Sequence, residues 1–102
     1  MSPYSRPPTS REAYAAGVES ELAEERAQTL GRAGRGVEQA MAALAAFDEA
    51  GGGEGREDLL KRAADAFWRY SVQREAGGFR DQREAIQIYG ITREIMIRMG
   101  AR

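Results

Sequence analysis

The segment FDEAGGGEGREDLL, residues 47–60, sets the fold of this 102-residue chain. Four of the five residues at 51–55 are glycine, a composition that ends a helix and forms a flexible loop. Helical patterns run into this loop from one side and leave it on the other. The segment therefore predicts a loop between one long helix and a second helix that follows at once.

The long helix lies on the N-terminal side of the loop, where apolar residues recur at steps of three and four from Tyr14 to Leu44. Thr9 and Glu12 have capping-box spacing, so we predict a helix over about residues 10–50. It would measure about 60 Å, against a radius of gyration near 13 Å for a compact domain of this size.

Three glycines lie between residues 31 and 36 of this helix, and each is unfavourable in a helix interior. They either kink the helix or let a second helix approach closely. We therefore expect either a break near residues 31–36 or a homodimer that pairs the long helices in antiparallel fashion. We favour a continuous helix together with a dimer.

The C-terminal side of the loop predicts a central helix over about residues 56–76, because its apolar stripe covers more than half of the circumference. Two glycines end it, and Phe79 is expected to fold back on it. Short helices are predicted at about 81–89 and 93–99. The fold class is all-α, a small helical bundle over residues 9–102, preceded by a disordered N-terminal arm, residues 1–8.

The segment YGITREIMIRMG, residues 89–100, has the outward form of a helix-turn-helix DNA reader. Helix capping explains the form of this segment equally well. Gly90 can end one helix and Thr92 can cap the next, and Ile91 and Met96 have the spacing of a hydrophobic staple. Ile95 and Met99 would then close the core against the central helix. The start of the first short helix is marked by a box-like pair, Asp81 and Glu84.

DNA binding through residues 81–99 as a degenerate helix-turn-helix is the alternative function. Ile86 stands where that motif needs a small residue, and the short last helix offers only Arg93, Arg98 and Arg102. Specific binders often neutralise about 6–10 phosphates. We therefore do not expect a nucleic-acid partner.

Composition excludes most catalytic chemistry. The chain has no cysteine and no histidine, and its 15 basic and 16 acidic residues give a net charge of −1. Nucleophilic triads and the usual metal ligands are therefore missing, and we expect no enzyme activity, no catalytic residues, no cofactor and no metal site. The longest apolar run, residues 40–47, is too short to span a membrane, so we expect a cytoplasmic protein with no membrane partner.

The densest cluster of aromatic and charged residues surrounds the glycine corner at 67–84. We predict that a salt-bridge network fixes the angle between two helices there, with Trp68 and Phe79 beneath it. Its members would be Arg74, Glu75, Arg80, Asp81, Arg83 and Glu84. Alternatively, Arg74 and Arg80 bind an anionic ligand or an acidic segment of a partner. With the outer-face residues Arg93 and Arg98, the candidate interaction residues are Trp68, Arg74, Phe79, Arg80, Arg93 and Arg98.

The C-terminal half carries a recognisable pattern, which comprises Trp68, Tyr70, Gln73-Arg74-Glu75, Gly78, Arg80-Asp81, Tyr89, Ile91, Arg93-Glu94 and Arg98-Met99-Gly100. It resembles the C-terminal half of a family of roughly hundred-residue bacterial proteins catalogued as a domain of unknown function. The resemblance implies the helical fold and adds no catalytic residue.

Charge divides along the chain, with a net −5 over residues 12–50 and +3 over residues 56–102. This division would suit intramolecular or head-to-tail pairing of the two halves, although solvated faces explain it as well. The main hypothesis is a non-enzymatic helical interaction protein that forms a homodimer through its long first helix. The sequence does not indicate any other protein partner.

Overall fold

The computed structural model describes residues 7–100, and in that part of the chain it contains four helices and no strand. The helices are α1 (Ser10–Glu49), α2 (Arg56–Ala76), α3 (Arg83–Tyr89) and α4 (Arg93–Met96). The predicted all-α architecture is confirmed. The disorder predicted for residues 1–6, and any DNA contact of Arg102, lie outside the described residues.

The long first helix is continuous, and the alternative of a break near residues 31–36 is wrong. Its start is the predicted capping box: the Glu12 backbone N–H donates to Thr9 Oγ1 at 3.1 Å, and the Thr9 backbone N–H donates to Glu12 Oε2 at 3.0 Å. These two bonds satisfy backbone donors that would otherwise be free at the helix end. The residues at 51, 52, 53 and 55 turn the chain with positive φ angles that suit glycine.

α1 and α2 form a helical hairpin whose members differ in length. α1 has 40 residues and α2 has 21, so α2 can cover only about half of α1. Every residue from 10 to 28 is exposed, and we call this part of α1 the overhang. The described chain measures 70 × 28 × 19 Å, with a radius of gyration of 20.0 Å. The overhang expected for a continuous straight helix is therefore present.

The hydrophobic core lies beside the second half of α1. Its largest fully buried side chains are Val37 of α1, Phe67 of α2 and Ile95 of α4. The rest of the core consists of Leu44, Leu60, Ala63, Ala64, Tyr70, Ala85 and Ile91. Because four of these ten residues are Ala or Val, the helices approach closely over a small buried area.

One glycine of α1 lies at a close contact between helices. A close approach of a second helix was one of the two alternatives predicted for the glycines at residues 31–36. A Cβ built on Gly34 would lie 2.7 Å from Tyr89 Oη of α3 and 3.4 Å from the Tyr70 ring of α2. The Tyr70 and Tyr89 rings meet edge to face, with centroids 5.2 Å apart. Burial, and then a hydrogen bond with Tyr70, raises the pKa of Tyr89 to about 12, so its hydroxyl remains neutral.

The short C-terminal helices differ from their predicted bounds. α3 begins at Arg83 rather than 81, because Asp81 Oδ1 accepts from the Arg83 backbone N–H at 3.0 Å and forms a turn before the helix. α4 ends at Met96 rather than about 99, and turns follow it. Thr92 occupies the N-cap position of α4, but its side chain makes no capping bond. Gly90 ends α3 with a φ of 66°, as predicted.

No helix within residues 7–100 combines the length and the apolar composition that crossing a bilayer requires.

Replacing Gly34 by alanine should destabilise the protein, because the new methyl group meets Tyr89 Oη. The matched control is Gly36→Ala, where a Cβ has no neighbour within 4 Å. We expect Gly36→Ala to be more stable than the parent by about 0.5–1 kcal/mol and Gly34→Ala to lie about 1–3 kcal/mol below that control. Chemical denaturation measures both. Tyr89→Phe should restore much of the loss, and equal stability of the two alanine variants would contradict the contact.

Candidate interaction surface

The overhang carries a row of exposed apolar side chains. Tyr14, Val18 and Leu22 follow one another at intervals of four residues and are 76%, 37% and 46% exposed. Residues four apart form a ridge on a helix surface, which is the feature that packs into the groove of a neighbouring helix. The sequence pattern placed these three residues on the apolar stripe of a helix that overhangs its domain, and they are exposed because α2 is too short to reach them.

A groove lies where the overhang leaves the hairpin, and we call it the Phe79 groove. α1 contributes Ala23, Arg26, Ala27 and Leu30 to its lining, and Gln73, Ala76, Gly77 and Phe79 line the other side. Its volume is about 400 Å³. Phe79 is 55% exposed, and its ring covers Gly77 at the end of α2, so the predicted fold-back of Phe79 is confirmed. Apolar groups dominate the surface of this groove.

The corner after α2 is braced by one arginine rather than by the predicted network. The Arg74 guanidinium lies 5.3 Å from the Phe79 ring centre and 5.8 Å from that of Tyr70. Arg74 Nη2 also donates to the Asp81 carbonyl oxygen at 3.1 Å. These contacts connect the end of α2 to the segment before α3 through cation–π attraction and one hydrogen bond.

The other predicted members of that network are arranged differently. Arg83 pairs with Asp81 at 3.1 Å within the same turn, and the Arg83 side chain lowers the pKa of the Asp81 carboxyl. Within residues 7–100, Arg80 makes no hydrogen bond or ion pair. It lies with Glu75 on a shallow polar depression instead. The predicted network is therefore wrong in its membership, because Arg74 binds rings and a backbone carbonyl.

Trp68 does not lie beneath the corner with Phe79, as had been predicted. It is 39% exposed and lies at a separate cleft between α2 and the α3–α4 segment, which we call the Trp68 cleft. Trp68 and Phe79 project from different faces of the hairpin, because Phe79 lies towards α1. The two aromatic residues therefore belong to two surfaces.

The candidate arginines of α4 also differ from each other. Arg98 is not free on an outer face: its Nε and Nη2 each lie 2.8 Å from a Glu57 carboxylate oxygen, and Nη1 donates to the Glu94 carbonyl oxygen. Arg93 is exposed, as expected. A four-residue α4, followed by a turn whose Arg98 is bound within the chain, presents little of the surface that a DNA-reading helix requires.

An ion-pair cluster that sequence reasoning missed joins three helices near the glycine loop. Arg56 Nε donates to Asp48 Oδ1 at 2.8 Å, and Arg56 Nη1 donates to Glu94 Oε1 at 2.7 Å. Together with the Arg98–Glu57 pair, this cluster ties α4 to the closed end of the hairpin. Hydrogen bonds from the arginines lower the pKa of Asp48, Glu57 and Glu94. Contacts between residues 38 and 41 positions apart leave no local signal in a sequence.

The structure offers no obvious place for a metal ion, since no group of three or more acidic residues within residues 7–100 is arranged to hold one. Each described carboxyl group with a shifted pKa is shifted downwards by an arginine. These groups stay ionised at neutral pH, whereas a carboxylic acid that donates a proton in catalysis needs a raised pKa. The clustered charges therefore act as ion pairs.

A model of the family described as "Family of unknown function (DUF6665)" matches residues 6–102. No curated protein and no solved structure matches the chain. The predicted resemblance to a family of unknown function is confirmed, and it covers nearly the whole chain rather than its C-terminal half alone.

Truncation of Arg74 and truncation of Arg80, both at the corner after α2, should have different effects on the melting temperature. Arg74→Ala removes both ring contacts and the bond to Asp81, so it should lower the melting temperature. Arg80→Ala is the matched control, because this side chain makes no such contact, and its melting temperature should equal that of the parent. An unchanged melting temperature for Arg74→Ala would show that Arg74 does not brace the corner.

The Arg56 cluster should make stability depend on acid pH. The folded-state pKa values of Asp48, Glu57 and Glu94 lie below the reference values of 3.8, 4.5 and 4.5. Their contribution is therefore complete above those values and is lost as the pH falls through the lower folded-state values. Arg56→Met should lower the melting temperature by a few degrees at pH 7, and the difference should shrink below about pH 4.

Arg62→Met is the control for this experiment, because Arg62 only pairs with Asp58 one turn away and both side chains are mostly exposed. It should leave the melting temperature nearly unchanged at both pH values. A constant difference between Arg56→Met and the parent across the acid range would rule out the ionic explanation.

Proposed function

Because the chain belongs to a family of unknown function, DUF6665, its role must be inferred from its surfaces, and we propose that it is a non-enzymatic interaction protein that self-associates through α1. The overhangs of two copies pack against each other in antiparallel fashion about a twofold axis. The observation that carries this proposal is the exposed ridge of Tyr14, Val18 and Leu22 on the overhang, the part of α1 that α2 does not cover.

The exposed overhang would be more stable with a partner packed against it. In folded proteins, most of the stability of a helix comes from packing of its apolar face rather than from helix propensity. Residues 10–22 lie beyond the groove at the end of α2, and every one of them is exposed. A second copy would bury the ridge and supply the missing contacts.

The length of the overhang favours a second copy as the occupant. In an antiparallel pair centred on Val18, Tyr14 lies beside Leu22 of the second copy, and Arg11 lies beside Glu25. The first residues of one overhang then reach the Phe79 groove of the other copy. Ala23 is the most N-terminal residue in the lining of that groove. Such a contact is isologous, because the same ridge serves both subunits and none of the ridge is left for a further copy.

The charges of the overhang predict that this dimer is weak. Residues 10–28 contain two arginines and five glutamates, so two paired overhangs repel each other. Arg11 and Glu25 offset part of this repulsion. Three apolar side chains from each copy make an interface at the small end of the specific range, below about 1,200 Å². We expect association at high micromolar concentration, strengthened by added salt because salt screens the glutamates.

Val18→Asp tests the proposal, since it places a carboxylate at the twofold axis. Its matched control is Ser20→Asp, which adds the same residue to the same helix about 200° away around the axis. Light scattering after size-exclusion chromatography should show a dimer for the parent and for Ser20→Asp, and a monomer for Val18→Asp. A parent protein that is monomeric at high micromolar concentration refutes self-association.

The position of the axis can be tested separately, because the chain contains no cysteine. Under mild oxidation, Val18→Cys should form a disulfide-linked dimer, whereas Ser20→Cys on the opposite face should not. Equal cross-linking of the two variants would reject the antiparallel pairing centred on Val18 even if the protein dimerises.

A further inference from the structure

The Trp68 cleft combines an apolar interior with polar groups that have no partner. It has a volume of about 360 Å³, at the small end of the range for ligand pockets, about 300–1,000 Å³. Phe67, Trp68 and Val72 line its α2 side, and Met96 and Met99 line the α4 side. Trp68 and Met96 are 39% and 38% exposed, so the cleft opens to the surface beside them.

Two polar side chains of the lining are buried without a hydrogen-bond partner. Ser71 is 92% buried, being 8% exposed, and its Oγ has no partner within the described chain. The Gln82 side chain lines the same cleft, and neither its Nε2 nor its Oε1 has a partner. Nearly all buried polar groups in folded proteins are paired, because an unpaired group is destabilising. Two such side chains at one cleft therefore indicate a site maintained for binding.

We propose that the Trp68 cleft binds a small, neutral aromatic amide, with its ring between Trp68 and the methionines and its amide paired with Gln82 and Ser71. The Gln82 amide presents one donor group and one acceptor, and the complement of that pair is a neighbouring carbonyl and N–H on the ligand. The aromatic ring matches the apolar walls, which include two aromatic rings and two sulfur atoms.

The charge of the cleft disfavours an anionic ligand. Glu75 is the one charged side chain that contributes to the described lining, and its carboxylate repels an anion. No arginine or lysine of the lining compensates it. The methionines also allow entry, because Met96 and Met99 each have three rotatable bonds and can move without a shift of the helices. Ser71 and Gln82, which are covered from solvent, become reachable in this way.

Benzamide is the first probe, and the fluorescence of Trp68 reports its binding because the chain has no other tryptophan. The parent protein should show a saturable change with benzamide. Toluene has the ring without the amide, and benzoate has the ring with a negative charge, so both should bind at least about tenfold more weakly. Calorimetry with the same three compounds provides a measurement that does not depend on fluorescence.

Gln82→Leu should weaken benzamide binding about tenfold or more, because it removes the donor and the acceptor that Gln82 offers to the ligand amide. The same variant should melt at a temperature equal to or above that of the parent, since it replaces an unpaired buried amide with an apolar side chain. This result also shows that the variant folds. Gln87→Leu is the matched control, because Gln87 lies exposed on α3, the helix that Gln82 precedes, and its benzamide binding should equal that of the parent.

Three outcomes would overturn the proposal: no saturable response of the parent to benzamide, equal binding of toluene and benzamide, or equal binding of benzamide by Gln82→Leu and the parent.

Discussion

The structure depends on a mismatch between two helices that pack against each other. α1 has 40 residues and α2 has 21, and no other described element is long enough to cover the remainder of α1. The hydrophobic core therefore forms only beside residues 30–44 of α1, where α2 and α3 meet it and α4 packs on α2. Residues 10–28 of α1, on the N-terminal side of that core, form an exposed helix.

The two ends of the hairpin are stabilised by different forces. At the closed end, Arg56 of α2 pairs with Glu94 of α4, and Arg98 in the turn after α4 pairs with Glu57 of α2. At the open end, Arg74 packs on aromatic rings, and the Tyr70–Tyr89 pair lies against Gly34. Because the core contains few large side chains, these contacts decide how α3 and α4 are oriented. The Trp68 cleft lies between the two sets of contacts, and its shape depends on both.

Local features of the fold were predictable from the sequence, because their causes lie within one or two helical turns. The Thr9–Glu12 box, the glycine loop at 51–55 and the stop at Gly90 all belong to this class. The sequence also indicated a continuous α1 that would extend beyond its domain. It could not indicate which ion pairs form, because Arg56 and Glu94 lie 38 residues apart and several other carboxylates carry the same charge. For the same reason, Arg98 was assigned to a free surface, and Trp68 and Phe79 were assigned to one site although they belong to two.

The continuity of α1 past its three glycines has a mechanical meaning. A helix that does not bend at residues 31–36 is a rod, and its hydrogen bonds run without interruption from the capping box to the glycine loop. Two α1 helices that pair through their overhangs would hold the helical cores at their other ends at a fixed separation. In such an assembly α1 would act as a spacer between two helical bodies, each of which carries its own cleft. A kink at residues 31–36 would instead let the two helical cores move relative to each other.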